Sequence, residues 1–160
     1  MKKIIFPKKN IKIIVSDFDG IFTDGKLTVF SDGRTAKQID YKDIMAISII
    51  LKKNIKFAIL SGEKSAAIDI LKEKFPAIDT FQNERNKIQI LKSLLDKYKL
   101  EPENTIYLGD DINDIDCLKY VKYPVTVQNA HNAVKEIKGI YIAAVAGGSG
   151  VLREITDLVL

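Results

Sequence analysis

The chain alternates short apolar runs, rich in β-branched residues, with longer segments of helical spacing. Residues 11–15, 55–60 and 105–108 are runs of this kind, and each is short and mostly apolar. Such runs predict strands that are buried on both faces, as in a parallel sheet. Because parallel neighbours need a crossover that is usually helical, the pattern predicts an α/β fold, a doubly wound parallel sheet with helices on both faces.

The segments between these runs complete the predicted order of elements. Residues 25–30 and 34–41 flank Ser31-Asp32-Gly33, and they predict a β-hairpin because Asp-Gly favours a tight turn. Apolar spacing predicts a helix over residues 43–53, with Asp43 as its N-cap. The remaining expected helices are 65–74, 86–98 and 151–160, and the remaining expected strands are 78–81, 125–127 and 141–143.

Length and composition favour a single domain over residues 1–160 and limit the possible partners. Of the 160 residues, 46% are hydrophobic and 29% are charged, which is enough for a substantial core and a polar surface. The net charge is +4, but the lysines are scattered along the chain. Since they form no basic patch interleaved with aromatic residues, we expect no nucleic-acid partner.

The sequence carries no sign of a membrane segment or a secretory leader. No apolar stretch is long enough to cross a bilayer, and the apolar run within residues 1–9 is too short for a signal peptide. Cys117 is the single cysteine, so no intrachain disulfide can form, and we expect it to be a small buried apolar residue. These features together predict a cytoplasmic protein.

Acidic residues directly follow two of the predicted strands. Asp17 and Asp19 come just after the first strand, and the run Gly109-Asp110-Asp111-Ile112-Asn113-Asp114 follows a later one. Because ligands in such sheets bind beyond the carboxyl ends of the strands, we expect these groups to converge. Carboxylates so close together repel one another unless a cation or a shared proton lies between them. The pattern therefore predicts a site for a hard divalent cation such as Mg²⁺.

The same strand ends offer the groups that a phosphoryl transfer needs. A carboxylate such as Asp17 can attack phosphorus and form an aspartyl phosphate. Its partner Asp19 can protonate the leaving oxygen and then deprotonate water. Ser61 and Gly62 end a strand before a helix, where a hydroxyl and free backbone N–H groups can hold phosphate oxygens. Lys87, at the start of a later predicted helix, can steady the charge on the transferring group.

Taken in order, these motifs resemble those of the haloacid dehalogenase superfamily of phosphatases. Four segments are similar to its motifs: residues 17–25 (DFDGIFTDG), 61–62 (SG), 86–87 (NK) and 109–114 (GDDIND). The hairpin, the lack of an inserted cap and the late run 147–154 resemble one branch, the 3-deoxy-D-manno-octulosonate 8-phosphate phosphatases and relatives acting on nine-carbon keto-sugar-acid phosphates. The resemblance implies a Rossmann-like fold with a β-hairpin insertion and no cap domain.

The resemblance also implies a role for each matching residue. Asp17 would be the nucleophile and a ligand of Mg²⁺. Asp19 would be the general acid and base, with its backbone carbonyl on the metal. Asp110 would be the second carboxylate ligand, while Ser61 and Lys87 would hold the phosphate.

Further implications concern the surroundings of the site. Asp111 and Asp114 would support the water shell of the metal. Members of the branch are typically homotetramers, in which the hairpins join into a central barrel and a neighbouring chain helps to close the site. The product would feed the synthesis of cell-surface glycans, such as lipopolysaccharide or sialic-acid polymers.

Some positions depart from the branch and leave the sugar open. The branch often has Arg-Asp-Gly-x-Gly after the hairpin, where this chain has residues 42–46 (KDIMA). Octulosonate enzymes usually carry arginine where this chain has Glu63. Nine-carbon relatives resemble it in having glutamate there, with a lysine about where Lys74 lies. The substrate can therefore be an octulosonate 8-phosphate or a sialic-acid-like nonulosonate 9-phosphate, although Glu63 and Lys74 can also be a simple surface pair.

Two late features allow more than one interpretation. Arg153 can bind the substrate of a neighbouring chain, or it can pair with Glu154 or Asp157 on its own helix. The run 147–150 (GGSG) can belong to the family motif, or it can be a flexible hinge before the last helix.

Two functions other than a phosphatase share part of this pattern. A non-catalytic oligomerisation module, of the kind joined to sugar-acid cytidylyltransferases, would not need an acid pair at Asp17 and Asp19, nor Lys87 and Asp110. A signalling receiver domain also forms an aspartyl phosphate, but its acceptor would follow the third strand. We therefore expect a Mg²⁺-dependent phosphoric monoester hydrolase acting on a small sugar-acid phosphate, with the oligomerisation module as the alternative.

Overall fold

A six-stranded parallel sheet forms the centre of the computed structural model, which describes Phe6 and residues 10–160. The strands, in chain order, are β1 (Ile13–Ser16), β2 (Thr28–Val29), β3 (Thr35–Ala36), β4 (Lys56–Leu60), β5 (Asp79–Phe81), β6 (Thr105–Leu108), β7 (Tyr123–Thr126) and β8 (Tyr141–Ile142). The order across the sheet is β5-β4-β1-β6-β7-β8, with every neighbouring pair parallel. The predicted doubly wound parallel sheet is therefore confirmed.

Helices link these strands and pack against one another. The helices are α1 (Tyr41–Lys52), α2 (Ala66–Lys74), α3 (Lys87–Tyr98), α4 (Ile115–Tyr120), α5 (Asn132–Lys135) and α6 (Val151–Val159), with short 3₁₀ turns at Pro102–Asn104 and Ile112–Asp114. α1 packs against α6, and α3 packs against α4. The helix pairs cover the sheet, so its central strands lose contact with water.

The central strands are apolar because both of their faces are covered. Ile13, Ile14 and Val15 of β1 are fully buried, as are Ile106 and Leu108 of β6. Burying an aliphatic side chain of this size stabilises the fold by roughly 1.5–3 kcal/mol. The rigid centre of the sheet therefore lies directly beneath the residues that follow β1 and β6.

The hairpin is present but shorter than predicted, and the first helix starts earlier. β2 and β3 pair antiparallel as two-residue strands, with Val29 opposite Thr35. The prediction of an extended segment to Tyr41 and of Asp43 as N-cap was wrong. Asp40 is the N-cap of α1, because its side chain accepts the backbone N–H of Lys42.

The prediction about a signal peptide is not tested by the structure, and the prediction about the cysteine is confirmed. Residues 1–5 and 7–9, on which the signal-peptide prediction depended, lie outside the described residues. Within the described part of the chain, no helix has both the length and the apolar character needed to cross a bilayer. Cys117 is buried, as predicted, and burial raises the pKa of its thiol to about 12.

Candidate active site

The ends of three neighbouring strands meet at the carboxyl edge of the sheet. β1 lies between β4 and β6, and Ser16 is in register with both Ile59 and Leu108. The backbone N–H of Asp17 donates to the carbonyl of Leu108 at 2.8 Å, so the ladder continues into the loop. Residues that follow these strands therefore leave the sheet side by side, and the loops after β1 and β6 are adjacent.

Three carboxylates lie together at this point. One oxygen each of Asp17, Asp110 and Asp114 lies within 4.8 Å of the others. Asp17 is 5% exposed and Asp114 is fully buried, so water screens their charge poorly. The structure thus brings together Asp17 and Asp110, the two carboxylates predicted to bind the metal, and adds Asp114 to them.

Lys87 supplies the positive charge opposite this cluster. It is the first residue of α3, after the N-cap Asn86, whose side chain accepts the N–H of Gln89. Its Nζ lies 2.8 Å from Oδ1 of Asp114 and 3.0 Å from Oδ1 of Asp17. Burial alone would lower the pKa of Lys87, but the two carboxylates outweigh burial and raise it. Lys87 is therefore a charged donor beside the predicted nucleophile.

Asp114 is held in place by donors of the protein itself. The Tyr107 hydroxyl donates to its Oδ1 at 2.8 Å, and the backbone N–H groups of Asp110 and Asp111 donate to Oδ2 at 3.1 and 3.3 Å. Burial and the charge of Asp114 raise the pKa of Tyr107, so the tyrosine stays a neutral donor. This arrangement fixes the loop that carries Asp110 against the end of β6. The role of Asp111 and Asp114 in the water shell of a metal stays a prediction.

The charges of the cluster fit a divalent cation. Burial and the negative charge of Asp114 raise the pKa of Asp17 above its usual range, although Lys87 opposes the shift. Burial, with the charges of Asp114 and Asp111, raises the pKa of Asp110 to about 7. Three carboxylates facing one ammonium group carry more negative charge than the protein's own cation balances. Oxygen donors of this kind suit Mg²⁺, and the assignment of Asp17 and Asp110 as its carboxylate ligands stays a prediction.

Glycines allow the loops around the cluster to approach closely. Gly20 has φ +84°, and a Cβ at this position would overlap the carboxylate of Asp110. A Cβ at Gly147 would in turn overlap the carbonyl of Gly20. The N–H of Gly148 donates to the carbonyl of Ile21 at 2.9 Å. The late glycine run is therefore packed against the loop after β1, which contradicts its interpretation as a flexible hinge.

Asp19 lies beside the cluster and has partners of its own. The Thr23 hydroxyl donates to its Oδ1 at 3.3 Å, and the Lys37 ammonium donates to its Oδ2 at 2.7 Å. The side chain of Asp19 is about one-third exposed, at 32%. It borders a cavity of about 670 Å³ that Lys37 and Glu63 also line. The predicted acid and base thus faces an open groove rather than the buried carboxylates.

Ser61 and Gly62 lie at the end of β4 near the same groove. The Ser61 hydroxyl donates to the carbonyl of Glu63 at 2.8 Å and accepts the N–H of Glu63 at 3.1 Å. A Cβ at Gly62 would lie 3.6 Å from Nδ2 of Asn113, so the loops after β4 and β6 are also close. Binding of a phosphate by Ser61 and Gly62 stays a prediction that this placement permits.

Two of the residues predicted to bind the substrate lie outside this groove. Lys74 ends α2, a helix that spans about 13 Å from Ala66, and it lines a different cavity with Tyr41. Nε of Arg153 lies 2.8 Å from Oδ1 of Asp157 on α6, which is one of the two pairings left open. Of the three residues proposed to read the sugar, only Glu63 borders the groove within the described chain.

Two polar residues near the site were not predicted from the sequence. Tyr107 lies in a predicted strand and was counted as core, although a fully buried tyrosine hydroxyl needs a partner and signals a nearby polar group. Lys37 was assigned only to the hairpin. Nothing in the local sequence indicates its contact with Asp19, because the two residues are 18 positions apart.

Comparison with known proteins places the chain in a family. Residues 34–155 match the family described as haloacid dehalogenase-like hydrolases. The 3-deoxy-D-manno-octulosonate 8-phosphate phosphatase of Salmonella typhi is 31% identical over 152 residues, which cover 95% of this chain and 80% of that protein. The enzyme of the same name from Escherichia coli K12 is 30% identical over 157 residues, covering 98% and 83%.

Solved structures show the same relationship. The 3-deoxy-D-manno-octulosonate 8-phosphate phosphatase of Moraxella catarrhalis, crystallised with a magnesium ion, a phosphate ion and KDO, matches with a TM-score of 0.89 and 27% identity over 96% of this chain and 87% of that one. A probable YrbI family phosphatase from Pseudomonas syringae matches with a TM-score of 0.89 and 33% identity, over 96% and 86%. These findings confirm the predicted fold, the predicted class of enzyme and the family resemblance. The chain therefore belongs to the haloacid dehalogenase-like hydrolases and, within them, to the family of 3-deoxy-D-manno-octulosonate 8-phosphate phosphatases.

Proposed function

We propose that this protein hydrolyses the phosphate monoester of a 3-deoxy-2-keto sugar acid, with 3-deoxy-D-manno-octulosonate 8-phosphate as the first candidate. The observation that carries the proposal is the convergence of Asp17, Asp110 and Asp114, with Lys87 Nζ 3.0 Å from Asp17. A buried carboxylate beside an ammonium group, at a site suited to Mg²⁺, can attack an anionic phosphate. The names of the relatives supply the sugar acid.

The first step transfers the phosphoryl group to the protein. A carboxylate oxygen of Asp17 forms a bond to phosphorus while the bond from phosphorus to the sugar oxygen breaks. The sugar oxygen takes the proton of Asp19, and the sugar acid leaves. Lys87, and Mg²⁺ held by Asp17 and Asp110, would neutralise the negative charge of the phosphate as it approaches the carboxylate.

The second step releases inorganic phosphate. Water attacks phosphorus and gives its proton to Asp19, which is now a carboxylate. The bond between phosphorus and the Asp17 oxygen breaks, and the Asp17 carboxylate is restored. Ser61 and Gly62 would hold phosphate oxygens through both steps, because they lie at the strand end beside the groove.

The residues that line the groove next to the site would determine which sugar acid binds. Glu63 borders this cavity of about 670 Å³, so it is the residue of this chain best placed to distinguish an 8-phosphate from a nonulosonate 9-phosphate. Lys74 and Arg153 lie outside the groove of their own chain, and we propose that they contribute only through a neighbouring copy.

An assembly of several copies is part of this proposal. Leu27, Val29 and Phe30 on the hairpin are 53%, 65% and 46% exposed, which is unusual for three apolar residues in one short segment. We infer that these residues are covered by the hairpins of other copies in a homotetramer, which would also narrow the groove. The proposal further includes a cytoplasmic place in the synthesis of a cell-surface glycan.

Phosphate release tests the proposed reaction. Purified protein with Mg²⁺ is incubated with octulosonate 8-phosphate, a nonulosonate 9-phosphate and p-nitrophenyl phosphate, and inorganic phosphate is measured. We expect turnover of the 8-phosphate to exceed that of the other two esters. Asp17→Asn should lower kcat by at least about a thousandfold, because the nucleophile is lost, whereas Asp96→Asn at an exposed position of α3 should not change it.

The outcomes separate the parts of this proposal. Undiminished turnover in Asp17→Asn would contradict the aspartyl-phosphate mechanism. Preference for the 9-phosphate would replace the sugar but keep the reaction. No release from any of the three esters would favour the oligomerisation module.

A further inference from the structure

Lys37 and Asp19 form a close ion pair at the edge of the site. Lys37 follows β3 at the base of the hairpin, and its Nζ lies 2.7 Å from the carboxylate of Asp19. The Lys37 side chain is only 18% exposed. The hairpin thus delivers one positive charge directly to the residue proposed as general acid and base.

This pair differs from the other ion pairs of the same region. Lys26 and Asp24 are 83% and 53% exposed, and Arg34 and Asp32 are 79% and 51% exposed. Ion pairs so open to water contribute little to stability. Lys37 is far less solvated, so its contact with Asp19 is stronger and better ordered.

Neighbouring groups fix both members of the pair. The Lys37 ammonium lies 5.9 Å from the centroid of the Phe18 ring, within the range of a cation–π contact, and Phe18 is fully buried. On the other side, the Thr23 hydroxyl donates to Asp19 and accepts the N–H groups of Gly20 and Gly25 at 3.3 and 3.2 Å. The Asp19 carboxylate is therefore clamped between a buried hydroxyl and an ordered ammonium.

The clamp sets where the Asp19 side chain points. Both Asp19 and Lys37 line the cavity of about 670 Å³, whereas Asp17 and Asp110, the proposed metal ligands, cluster with Asp114. A substrate ester whose phosphorus lies against Asp17 would have its sugar oxygen on the side of the groove, since the other side of Asp17 is the protein core. The clamp holds the Asp19 carboxyl group on that same side.

We propose that Lys37 is the positioning residue of Asp19, and that it holds the Asp19 carboxyl group toward the leaving oxygen of the ester. The inference rests on the proposed function, because it assigns Lys37 a part in that reaction. In the first step the proton moves from Asp19 to the sugar oxygen as the ester bond breaks, and the carboxylate that remains faces the Lys37 ammonium. Without Lys37, the Asp19 side chain keeps, among the described residues, only its 3.3 Å contact with Thr23.

A comparison of leaving groups tests this role. The p-nitrophenolate group leaves without protonation, whereas the alkoxide of a sugar needs the proton of Asp19. We expect Lys37→Met to lower kcat/KM about 10–100-fold on octulosonate 8-phosphate and less than about threefold on p-nitrophenyl phosphate. Lys37→Arg should recover most of the loss, because it restores the positive charge.

A matched control excludes a general effect of removing a lysine. Lys97 lies 2.8 Å from Asp79 and 4.9 Å from the centroid of the Tyr98 ring, so it has the same kinds of contact far from the groove. Lys97→Met should change kcat/KM on neither ester.

A double-mutant cycle distinguishes positioning from direct binding of the substrate. If Lys37 acts through Asp19, the pair Lys37→Met and Asp19→Asn should lower kcat/KM on the sugar ester no further than Asp19→Asn alone. Additive losses would overturn the inference and assign Lys37 to an anionic group of the substrate. Equal losses on both esters would also overturn it, by showing a structural role. A wild type that hydrolyses neither ester would instead overturn the proposed function, and the inference with it.

Discussion

Gly20 and Gly33 share one backbone angle but have opposite surroundings. Both have φ +84°, a conformation that side chains other than glycine rarely adopt. A Cβ at Gly20 would overlap the carboxylate of Asp110, whereas a Cβ at Gly33 would meet no described atom within 4 Å. The pair therefore separates backbone strain from the geometry of the metal site.

We expect Gly20→Ala to damage the site and Gly33→Ala to leave it intact. Both variants carry backbone strain of about 1–2 kcal/mol, but only Gly20→Ala displaces Asp110. A displacement of about 1 Å can cost about a hundredfold in rate, so kcat/KM should fall by that order, and half-maximal activity should need more Mg²⁺. A titration of phosphate release with Mg²⁺ measures both effects. Wild-type dependence on Mg²⁺ in Gly20→Ala would contradict the close contact.

For individual residues, sequence patterns predicted where the acidic side chains lie but not which side chains contact them. Asp17 and Asp110 were predicted to meet because each follows a strand, and strand ends of a parallel sheet share one edge. Lys37 and Tyr107 could not be predicted in this way. Their contacts with Asp19 and with the buried Asp114 depend on how the hairpin and β6 fold back, which no local pattern encodes.

Among the secondary-structure elements, α1 and α6 are connected through the side chain of Asp43. It is the third residue of α1, and its Oδ1 accepts the backbone N–H of Arg153 at the start of α6, at 3.0 Å. Its Oδ2 is buried and has no hydrogen-bond partner among the described residues. A negative charge at the first turns of two helices is favourable, but its burial is costly.

We expect the stability contributed by Asp43 to fall as the pH rises. Burial, with repulsion from Asp40, raises the pKa of Asp43 from 3.8 to about 6. Because the folded state then binds the proton more tightly than the unfolded state, the free energy of unfolding decreases between about pH 4 and pH 6. The decrease is up to about 3 kcal/mol. The side chain that Asp43→Asn introduces cannot titrate. The free energy of unfolding of this variant should therefore rise relative to that of the wild type by the same amount over this pH range.

Urea unfolding of both proteins at pH values from 4 to 7, in the presence of a chelator, measures this difference. Contributions of Asp17 and Asp110 are common to both proteins and cancel in the comparison. Parallel stability curves would show that Asp43 does not titrate in this range.

Helices with strong patterns were predicted, and the two shortest α-helices were not. The helix over 86–98 has apolar residues at helical spacing, and α3 follows it closely. α4 and α5, with six and four residues, were missed because helices of that length depend on tertiary contacts rather than on their own pattern. The N-cap of α1 was assigned three residues too late because Asp40 and Asp43 are chemically equivalent in the sequence.

The whole molecule presents an apolar hairpin, and we expect this hairpin to hold copies together. Val29→Lys places a charge among Leu27 and Phe30, which should reduce the mass in solution from that of a tetramer toward that of a monomer. Leu158, an exposed apolar residue on α6 at 36%, provides the control, because Leu158→Lys should not change the mass. Light scattering coupled to size-exclusion chromatography measures both. A monomeric wild type would contradict the assembly.

The topology of the whole molecule was predictable because alternation of strands and helices admits few arrangements. The contact between the late glycine run and the loop after β1 could not be predicted from that alternation. Only the packed structure shows that residues 147–148 lie against the loop that follows β1.

This last contact bears on when the protein can begin to work during its synthesis. The segment that carries Asp17 is synthesised early, at about 5–20 residues per second, yet the carbonyl of Ile21 finds its donor only after Gly148 has emerged from the ribosome. A ribosome-bound chain that ends before this position would contain the acidic groups but lack the backbone segment that packs against the loop after β1. Activity should therefore not appear until synthesis has passed Gly148.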